Sequence, residues 1–366
     1  MLVHRTFRYR LYPTKAQATA MRHTLDLCRE LYNAALQERR DAWRQCRQAV
    51  GFAQQSAQLP ATKTVRPDLR AVYSQTLQDV LHRVDKTFAA FYARCRRGAQ
   101  PGYPRFKPAT RYHSFTYPQL GWRLEPGTLH LAKIGAVRAV QHRPLQGRVK
   151  TCQVLRDGNH WYCTITCEVT VPDAPLREAP AVGIDVGLEY FAALSTGETV
   201  ANPRYFRQSE KRLAQAQRRL AKLARSDPKR PAARQRVRAV HRRVRHQRHD
   251  FLHQLSHRLI STFGTICVED LNIKGLASGM LAKSVHDAAW GTLLFLLAYK
   301  AESAGTRLTA VAPRGTSQTC PDCGLIQPKT LSERWHACPC GASMPRDVAA
   351  ARVILARGLA SMGATP

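Results

Sequence analysis

The arrangement Cys320-Pro-Asp-Cys323-Gly324, followed 14 residues later by Cys338-Pro-Cys340-Gly341, constrains this chain more than any other feature of it. Two thiolates on one tight, Gly-ended turn can face a single tetrahedral Zn2+, and a second turn can supply the other two ligands. Four thiolates leave no open position for water, so such a metal is structural. The second turn is one residue short. Pro339 alone separates its cysteines, which restricts the thiolate directions and leaves His336 as an alternative ligand. The competing reading is a lapsed site of ordinary thiols. Of the chain's 11 cysteines the rest are scattered, which fits a reducing compartment better than a disulfide framework.

The chain around this site is strongly basic. Its 366 residues carry 57 Lys and Arg against 25 Asp and Glu, a formal net charge of +32. Arg supplies 44 of the cations, and the guanidinium fork pairs bidentately with phosphate. Nucleic acid is therefore the first partner to expect, with an Arg-favouring codon bias as the plainer alternative. At 44% apolar and 22% charged residues the composition is that of a globular chain, and at roughly 150 residues per domain it has room for two or three. The longest apolar run of the C-terminal half, residues 293–298, is far shorter than the roughly 20 residues that span a bilayer. The opening residues hold no apolar stretch of signal-peptide length. A cytoplasmic protein without membrane contact is expected.

Residue patterning divides the chain. Residues 2–11 alternate like a strand and stop at Tyr12 and Pro13. From 14 to about 48, Met21, Leu25, Cys28, Leu31, Tyr32 and Leu36 recur at helical spacing with Thr14 as cap. Residues 51–67 read as loop, and about 73–97 as a second helix with Leu77, Val80, Leu81, Val84, Phe88 and Phe91 on one face. Between 102 and 171, short runs rich in Tyr, Phe, Trp, Val and Thr read as strands of a small barrel that the first strand can join. Tyr112, Phe115 and Tyr117 there fill the core or, alternatively, stack on bases. The Pro-rich residues 171–180 mark a boundary.

Beyond it, residues 181–185 and 190–195 form an apolar strand pair about a Gly-containing turn. Residues 204–248 hold 17 Lys or Arg against two acids, with helical spacing on both sides of a turn at Pro228 and Pro231. A face so one-sided repels itself unless an anion covers it, which favours nucleic acid over a merely solvated face. Residues 265–268 read as a buried strand, 290–302 as an apolar helix and 346–359 as a closing helix.

In so basic a chain, acids in apolar settings stand out. Asp185 lies within Val182-Gly-Ile-Asp-Val-Gly187, Glu269 closes the run Thr265-Ile-Cys-Val-Glu-Asp270, and Asp347 opens the last helix. Strand middle, strand end and helix start can converge. Buried carboxylates that converge repel one another unless a hard cation such as Mg2+ or Mn2+ sits among their oxygens. Two such ions can clamp the attacking water and the leaving oxygen of a phosphodiester. Taken singly, each acid has a plainer reading. Gly-Ile-Asp-x-Gly also opens actin-like ATPases, Glu269 can be a strand-end cap partner, and Asp347 a helix N-terminal acid.

Seven runs in order carry a resemblance to a family: FRYRLYP (7–13), GYPRF (102–106), GIDVG (183–187), VEDLNIKGL (268–276), SVHDAAWG (284–291), TSQTCPDCG (316–324) and RDVAAARVIL (346–355). They resemble the TnpB proteins encoded by insertion sequences, compact RNA-guided DNA nucleases regarded as ancestors of type V CRISPR effectors. The resemblance spans nearly the whole chain and implies an α/β plus β architecture. Its parts would be an RNase H-like RuvC nuclease domain (181–314 and 345–366) with a zinc-ribbon insertion (315–344), preceded by an oligonucleotide-binding β-barrel, or wedge, domain (1–13 and 103–180) with an inserted helical recognition domain (14–102). It implies that Asp185, Glu269 and Asp347 are the catalytic, Mg2+- or Mn2+-binding carboxylates and that Cys320, Cys323, Cys338 and Cys340 hold structural Zn2+.

The family commonly reads Asp-Arg-Asp-x-Asn-Ala-Ala at the third acid, whereas this chain has Pro345-Arg346-Asp347-Val348-Ala349-Ala350-Ala351. The third carboxylate is kept, but a supporting hydrogen bond is lost, which lowers the activity to expect. The implied function is an Mg-dependent RNA-guided DNA endonuclease associated with a transposable element. Guide pairing and a short flanking DNA motif would choose the target. Implied partners are a guide RNA from the transposon end and target double-stranded DNA, with one protein copy per ribonucleoprotein in a prokaryotic cytoplasm, at the nucleoid. Arg5, Arg8, Arg10, residues 103–107 and residues 204–248 are candidate backbone grips. Two other functions fit parts of the pattern: a cleavage-deficient RNA-guided DNA-binding regulator, and a transposase acting directly in strand transfer.

Overall fold

The N-terminal alternation forms strand β1, Leu2–Tyr12, which turns Phe7, Tyr9 and Leu11 into the core and Arg8 and Tyr12 outward. The computed structural model describes residues 2–171, 175–330 and 332–363. It divides into two units, Met1–Thr170 and Val171–Pro366. The division falls at the head of the Pro-rich segment, of which residues 172–174 lie outside the described residues, as do the outermost residues of the expected terminal domain ranges and residue 331.

In the first unit a capping box at Thr14 and Gln17 starts α1, Lys15–Cys46. Residues 51–67 are not the expected loop. They carry α2, Phe52–Ala57, α3, Leu59–Val65, and the start of a 3-10 turn, Pro67–Ala71. Leu59 and Leu69 are buried in the core, which supplies the anchoring that so polar a segment lacks in its own periodicity. Helix α4, Ser74–Arg96, buries Leu77, Val80, Leu81, Val84 and Phe88 as its spacing predicts. Six strands follow: β2 Ser114–Tyr117, β3 Trp122–Glu125, β4 Thr128–Leu131, β5 Gly135–Val140, β6 Arg148–Asp157 and β7 His160–Thr170. With β1 they form one seven-stranded sheet in the order β2-β6-β7-β1-β5-β4-β3. The first strand thus enters the middle of a sheet whose other strands come more than 100 residues later. Tyr112, Phe115 and Tyr117 are buried, so they fill the core and present no face to bases.

The second unit is a five-stranded sheet built from β8 Ala181–Val186, β9 Tyr190–Leu194, β10 Thr199–Ala201, β11 Thr265–Glu269 and β12 Arg307–Val311, in the order β10-β9-β8-β11-β12. β9 pairs antiparallel with its neighbours, while β8, β11 and β12 run parallel. Two helices, α5 Tyr205–Ala221 and α6 Arg230–Thr262, link β10 to β11. Three more, α7 Ile273–Leu276, α8 Ala282–Ala288 and α9 Trp290–Ala304, link β11 to β12. A small hairpin, β13 Trp335–Ala337 with β14 Ser343–Pro345, leads into the closing helix α10, Arg346–Ser361. No helix among the described residues is long and apolar enough to cross a membrane.

Strand alternation sorts the two faces of this sheet. Val182 and Ile184 of β8 and Ile266 and Val268 of β11 share a core with Leu252, Leu255 and Leu259 of α6 and Leu293, Leu296 and Leu297 of α9. The intervening residues Gly183 and Cys267 face α10. A Cβ on Gly183 would stand 2.0 Å from the Ala351 carbonyl oxygen, and one on Gly358 would stand 2.2 Å from the Cys267 sulfur. Glycine at these two points lets helix and sheet close on each other.

Candidate active site and metal centre

That close packing brings the three singled-out acids together. Asp185 and Glu269 each lie two residues beyond the positions under α10, Gly183 and Cys267, and so point to the same face. The parallel register pairs Gly183 with Cys267 and Ile184 with Val268, so the next residues along, Asp185 and Glu269, are neighbours on adjacent strands. Asp347 lies one helical turn before Ala351, a rise of about 6 Å that matches the two-residue advance along β8. All three carboxylates are half-buried.

The proton affinity of Asp185 reflects the approach of the other two. Burial, then the negative charges of Glu269 and Asp347, push Asp185 up to about 7, with Arg346 opposing. Burial also raises Glu269, against a hydrogen bond from Thr316 and the charge of Arg357. Asp347 is raised by burial first and by Glu189, against Arg334 and Arg346. Their oxygens do not gather within 4.8 Å; among the described residues only the four cysteines form a metal-ligating group that tight. Three oxygen-donor side chains, two of which press their charge on the third, can hold hard divalent cations at the end of a sheet.

Two buried supports are not among the residues the sequence singles out, one at this site and one between α5, α6 and α8. The Thr316 hydroxyl, buried, donates to Glu269 Oε1 at 2.5 Å and holds that carboxylate from the loop after β12. Asp287 of α8 is buried and accepts from the backbone N–H groups of Phe206 (3.0 Å) and Arg207 (3.3 Å) and from Arg248 Nη2 (2.8 Å). It therefore caps α5 and ties it to α6. The signals were present: both residues sit in runs that carry the family resemblance, and Asp287 is another acid in an apolar setting.

The four cysteines converge as their spacing predicts. Their sulfurs all lie within 4.8 Å of one another, with Cys320 to Cys340 at 3.6 Å and Cys323 to Cys338 at 3.5 Å. Tetrahedral Zn–S bonds of about 2.3 Å require sulfur separations of about 3.8 Å. The single-residue spacer at Pro339 does not keep the second pair out. Although burial opposes it, backbone N–H groups of Cys323 and Asp322, with His336 and Cys338, draw the Cys320 thiol down to about 6. His336 is fully buried beside this cluster, with its Nδ1 against Lys329 Nζ, and is not one of the grouped donors.

The cysteine cluster and the third acid are mechanically joined. β14 runs directly into α10, and the Arg346 guanidinium donates to the carbonyls of Thr330 (2.6 Å) and Glu333 (3.1 Å) and to Ser317 Oγ (3.2 Å). Pro345, at the N-cap of α10, supplies no side-chain acceptor. The Arg346 clamp is what fixes the turn that carries Asp347.

The basic segment folds as α5 and α6. They enclose a crevice of about 820 Å3 whose lining includes Arg212, Arg219, Arg236 and Arg243 and no acid. Of the other candidate grips, Arg5 donates to Gln146 at 2.8 Å, Arg8 and Arg10 lie on the outer face of β1, and Tyr103 and Phe106 are exposed.

Three family models match in chain order: one described as "Helix-turn-helix domain" over residues 1–48, one as "Probable transposase" over 164–279, and one as "Cas12f1-like, TNB domain" over 290–354. Residues 2–46 of this chain form a strand and one long helix around a Pro-containing turn. A Streptomyces pristinaespiralis protein named "Putative RNA-guided DNA endonuclease" is 38% identical, over 98% of this chain and 90% of the relative. A similarly named Escherichia coli K12 protein, InsQ, is 27% identical over 96% of this chain and 92% of its own. Among solved structures, a Cas12f1 chain from a complex with sgRNA and target DNA superposes with a TM-score of 0.60 at 12% identity, covering 96% of this chain and 98% of that one. That likeness is one of fold alone. Identity of 38% to the Streptomyces protein over nearly the full length of both chains leads to one conclusion: the chain belongs to the TnpB family of insertion-sequence proteins.

Proposed function

We propose that this protein is an RNA-guided DNA endonuclease that hydrolyses phosphodiesters at Asp185, Glu269 and Asp347. The observation that carries the reading is the approach of three half-buried acids from two strands and a helix start, with Asp185 raised by its burial and by the charges of the other two. A site so arranged is at odds with itself until cations neutralise it. Bound Mg2+ or Mn2+ would activate water and stabilise the leaving oxygen. The chain's own contribution is to hold the oxygens: Thr316 fixes Glu269, the Arg346 clamp fixes the turn of Asp347, and β8 fixes Asp185.

The same reading assigns Zn2+ to Cys320, Cys323, Cys338 and Cys340 as a structural ion, and the domain roles follow it. The seven-stranded sheet (1–13 and 103–180) would be the oligonucleotide-binding barrel and 14–102 the inserted recognition domain. Residues 181–314 with 345–366 would be the RuvC-like nuclease, and 315–344 the ribbon. Charge supports a protein that grips nucleic acid by its backbone, since phosphate contacts position without specifying. Target choice then belongs to a guide RNA from the transposon end, pairing with double-stranded DNA beside a short motif, in a ribonucleoprotein with one protein copy.

The test uses two plasmids and two guides, in Mg2+ and in EDTA. Each guide should direct cutting of its own plasmid in Mg2+ only. Asp185→Ala, Glu269→Ala and Asp347→Ala should each abolish cutting while RNA and target binding persist. Cutting that ignores the guide would remove the RNA-guided function. Metal-independent binding without cutting by the unaltered protein would make it a regulator, and joining of element ends by the protein alone would make it a transposase.

A further inference from the structure

We propose that His249 and His253, one turn apart on α6, form a chelating site for a divalent transition metal of the zinc, nickel and copper class. Their Nε2 atoms lie 3.2 Å apart, with the ring centres separated by 4.3 Å and the ring planes inclined at 58°. Two metal–nitrogen bonds of about 2.0–2.1 Å that meet at about 90–109° place their nitrogens about 2.8–3.4 Å apart. The pair already has the span that one ion requires. His249 is exposed and His253 half-buried, so the site opens to solvent.

The pair belongs to a longer stripe. α6 holds five of the chain's 14 histidines, and four of them, His246, His249, His253 and His257, recur at three- and four-residue spacing, which puts them on one face. The same stretch of helix is anchored in the core by Leu252, Leu255 and Leu259, so burying α6 does not call for the imidazoles. Among the described residues no third His, Cys, Asp or Glu joins His249 and His253 within 4.8 Å, which leaves the remaining coordination positions to water. Two nitrogen donors with open positions make a site that exchanges its ion, unlike four thiolates that enclose one. Neutral imidazole suits Zn2+, Ni2+ and Cu2+, whereas Mg2+ takes oxygen, so this site and the carboxylates select different ions.

Two features of the surroundings favour a cation on this part of so basic a helix. The flanking arginines are neutralised, Arg248 by Asp287 at 2.8 Å and Arg258 by Glu198 at 2.5 Å, and Asp250 follows His249 directly, its carboxylate accepting from Gln254 Nε2 at 3.0 Å. The turn is also fixed in advance. Lys300 of α9 donates to the His253 carbonyl oxygen (2.9 Å) and to Ser256 Oγ (2.8 Å), which ties this stretch of α6 to its neighbour. Donors held in place spend little of the binding energy on ordering. An ion that bridges one helical turn binds the folded helix and not the unfolded chain, so it stabilises α6.

The test is independent of the RNA-guided reading. Tag-free, full-length protein free of nucleic acid is titrated with Ni2+ by isothermal titration calorimetry. A saturable site should appear, and His249→Ala and His253→Ala should each weaken it roughly tenfold or more, against less than about threefold for His246→Ala and His257→Ala. Excess Zn2+ should displace the nickel and excess Mg2+ should not. Ni2+ should raise the melting temperature of the wild type but not of the two pair variants. His253→Gln, which keeps a polar side chain at the half-buried position, should lose nickel as His253→Ala does while melting like the wild type in the absence of nickel. Nickel affinity that survives both His249→Ala and His253→Ala places the ion elsewhere, at the cysteines for example, and overturns the proposal. Equal loss from all four histidine variants overturns the assignment to this pair, and a wild type without saturable nickel binding overturns the site altogether.

Discussion

At the scale of single residues the decisive quantity is the proton on Asp185. Burial and two neighbouring carboxylates raise it from 3.8 to about 7. The folded chain thus binds this proton more tightly than the unfolded chain does, and stability falls as pH rises through that interval. Above it, without metal, the full penalty is present. Asp185→Asn should therefore raise the unfolding temperature in EDTA at about pH 8 by several degrees and change nothing near pH 3, where both forms are neutral. Mg2+ at about pH 8 should stabilise the wild type and not the variant; differential scanning fluorimetry checks both. Thr316→Val removes the hydroxyl that holds Glu269. Its cleavage rate should fall roughly 10- to 100-fold, with the acid limb of the pH–rate profile moved upward, because a hydrogen bond that favours the charged carboxylate is lost.

At the scale of elements, α10 is the part on which most depends. It lies against β8 and β11 because residues 183 and 358 have no side chain, and its first turn carries Asp347. Gly183→Ala would set a methyl 2.0 Å from the backbone carbonyl of Ala351, which cannot swing aside as a flexible side chain could. A loss of roughly 1–3 kcal/mol is expected, read as a lower melting temperature, with cleavage reduced more than RNA binding. The cysteine cluster acts on the same helix through Arg346. Freshly purified protein should contain close to one zinc per chain by elemental analysis, and Cys323→Ser or Cys338→Ser should reduce it. Arg346→Ala should leave zinc in place yet lower cleavage, since it cuts the link between the cluster's loop and the Asp347 turn.

At the scale of the whole molecule, charge governs. A net +32 includes an acid-free arginine crevice between α5 and α6. Bare protein should bind a labelled single strand weakly and with little sequence preference. If six to ten phosphates are contacted, affinity should drop by roughly 10³- to 10⁵-fold between 50 and 200 mM salt, measured by fluorescence anisotropy. Replacing Arg212, Arg219, Arg236 and Arg243 with Gln should flatten that dependence, while Asp287→Ala, which frees the base of the hairpin, should weaken binding with less change in slope.

Much of this was legible in the sequence, because the forces concerned are local. Periodicity alone locates α1, α4 and the β8–β9 pair, since a buried face must recur with the geometry of the element that carries it. Cysteine spacing likewise announces a four-sulfur cluster. The helices of residues 51–67 were not legible, because their anchors, Leu59 and Leu69, gain their burial from a core assembled elsewhere. Nor was the support given by Thr316, whose partner is 47 residues away, and Asp287, whose partners are 39 to 81 residues away. Composition and local pattern supply the residue types: three acids in apolar settings, four thiols and an excess of arginine. Register and packing then turn those acids to one face through strand alternation and two glycine contacts, and bring Arg8, Arg10, Tyr12 and Tyr162 of β1 and β7 into one row, because proximity between distant residues is set by the fold and not by local pattern.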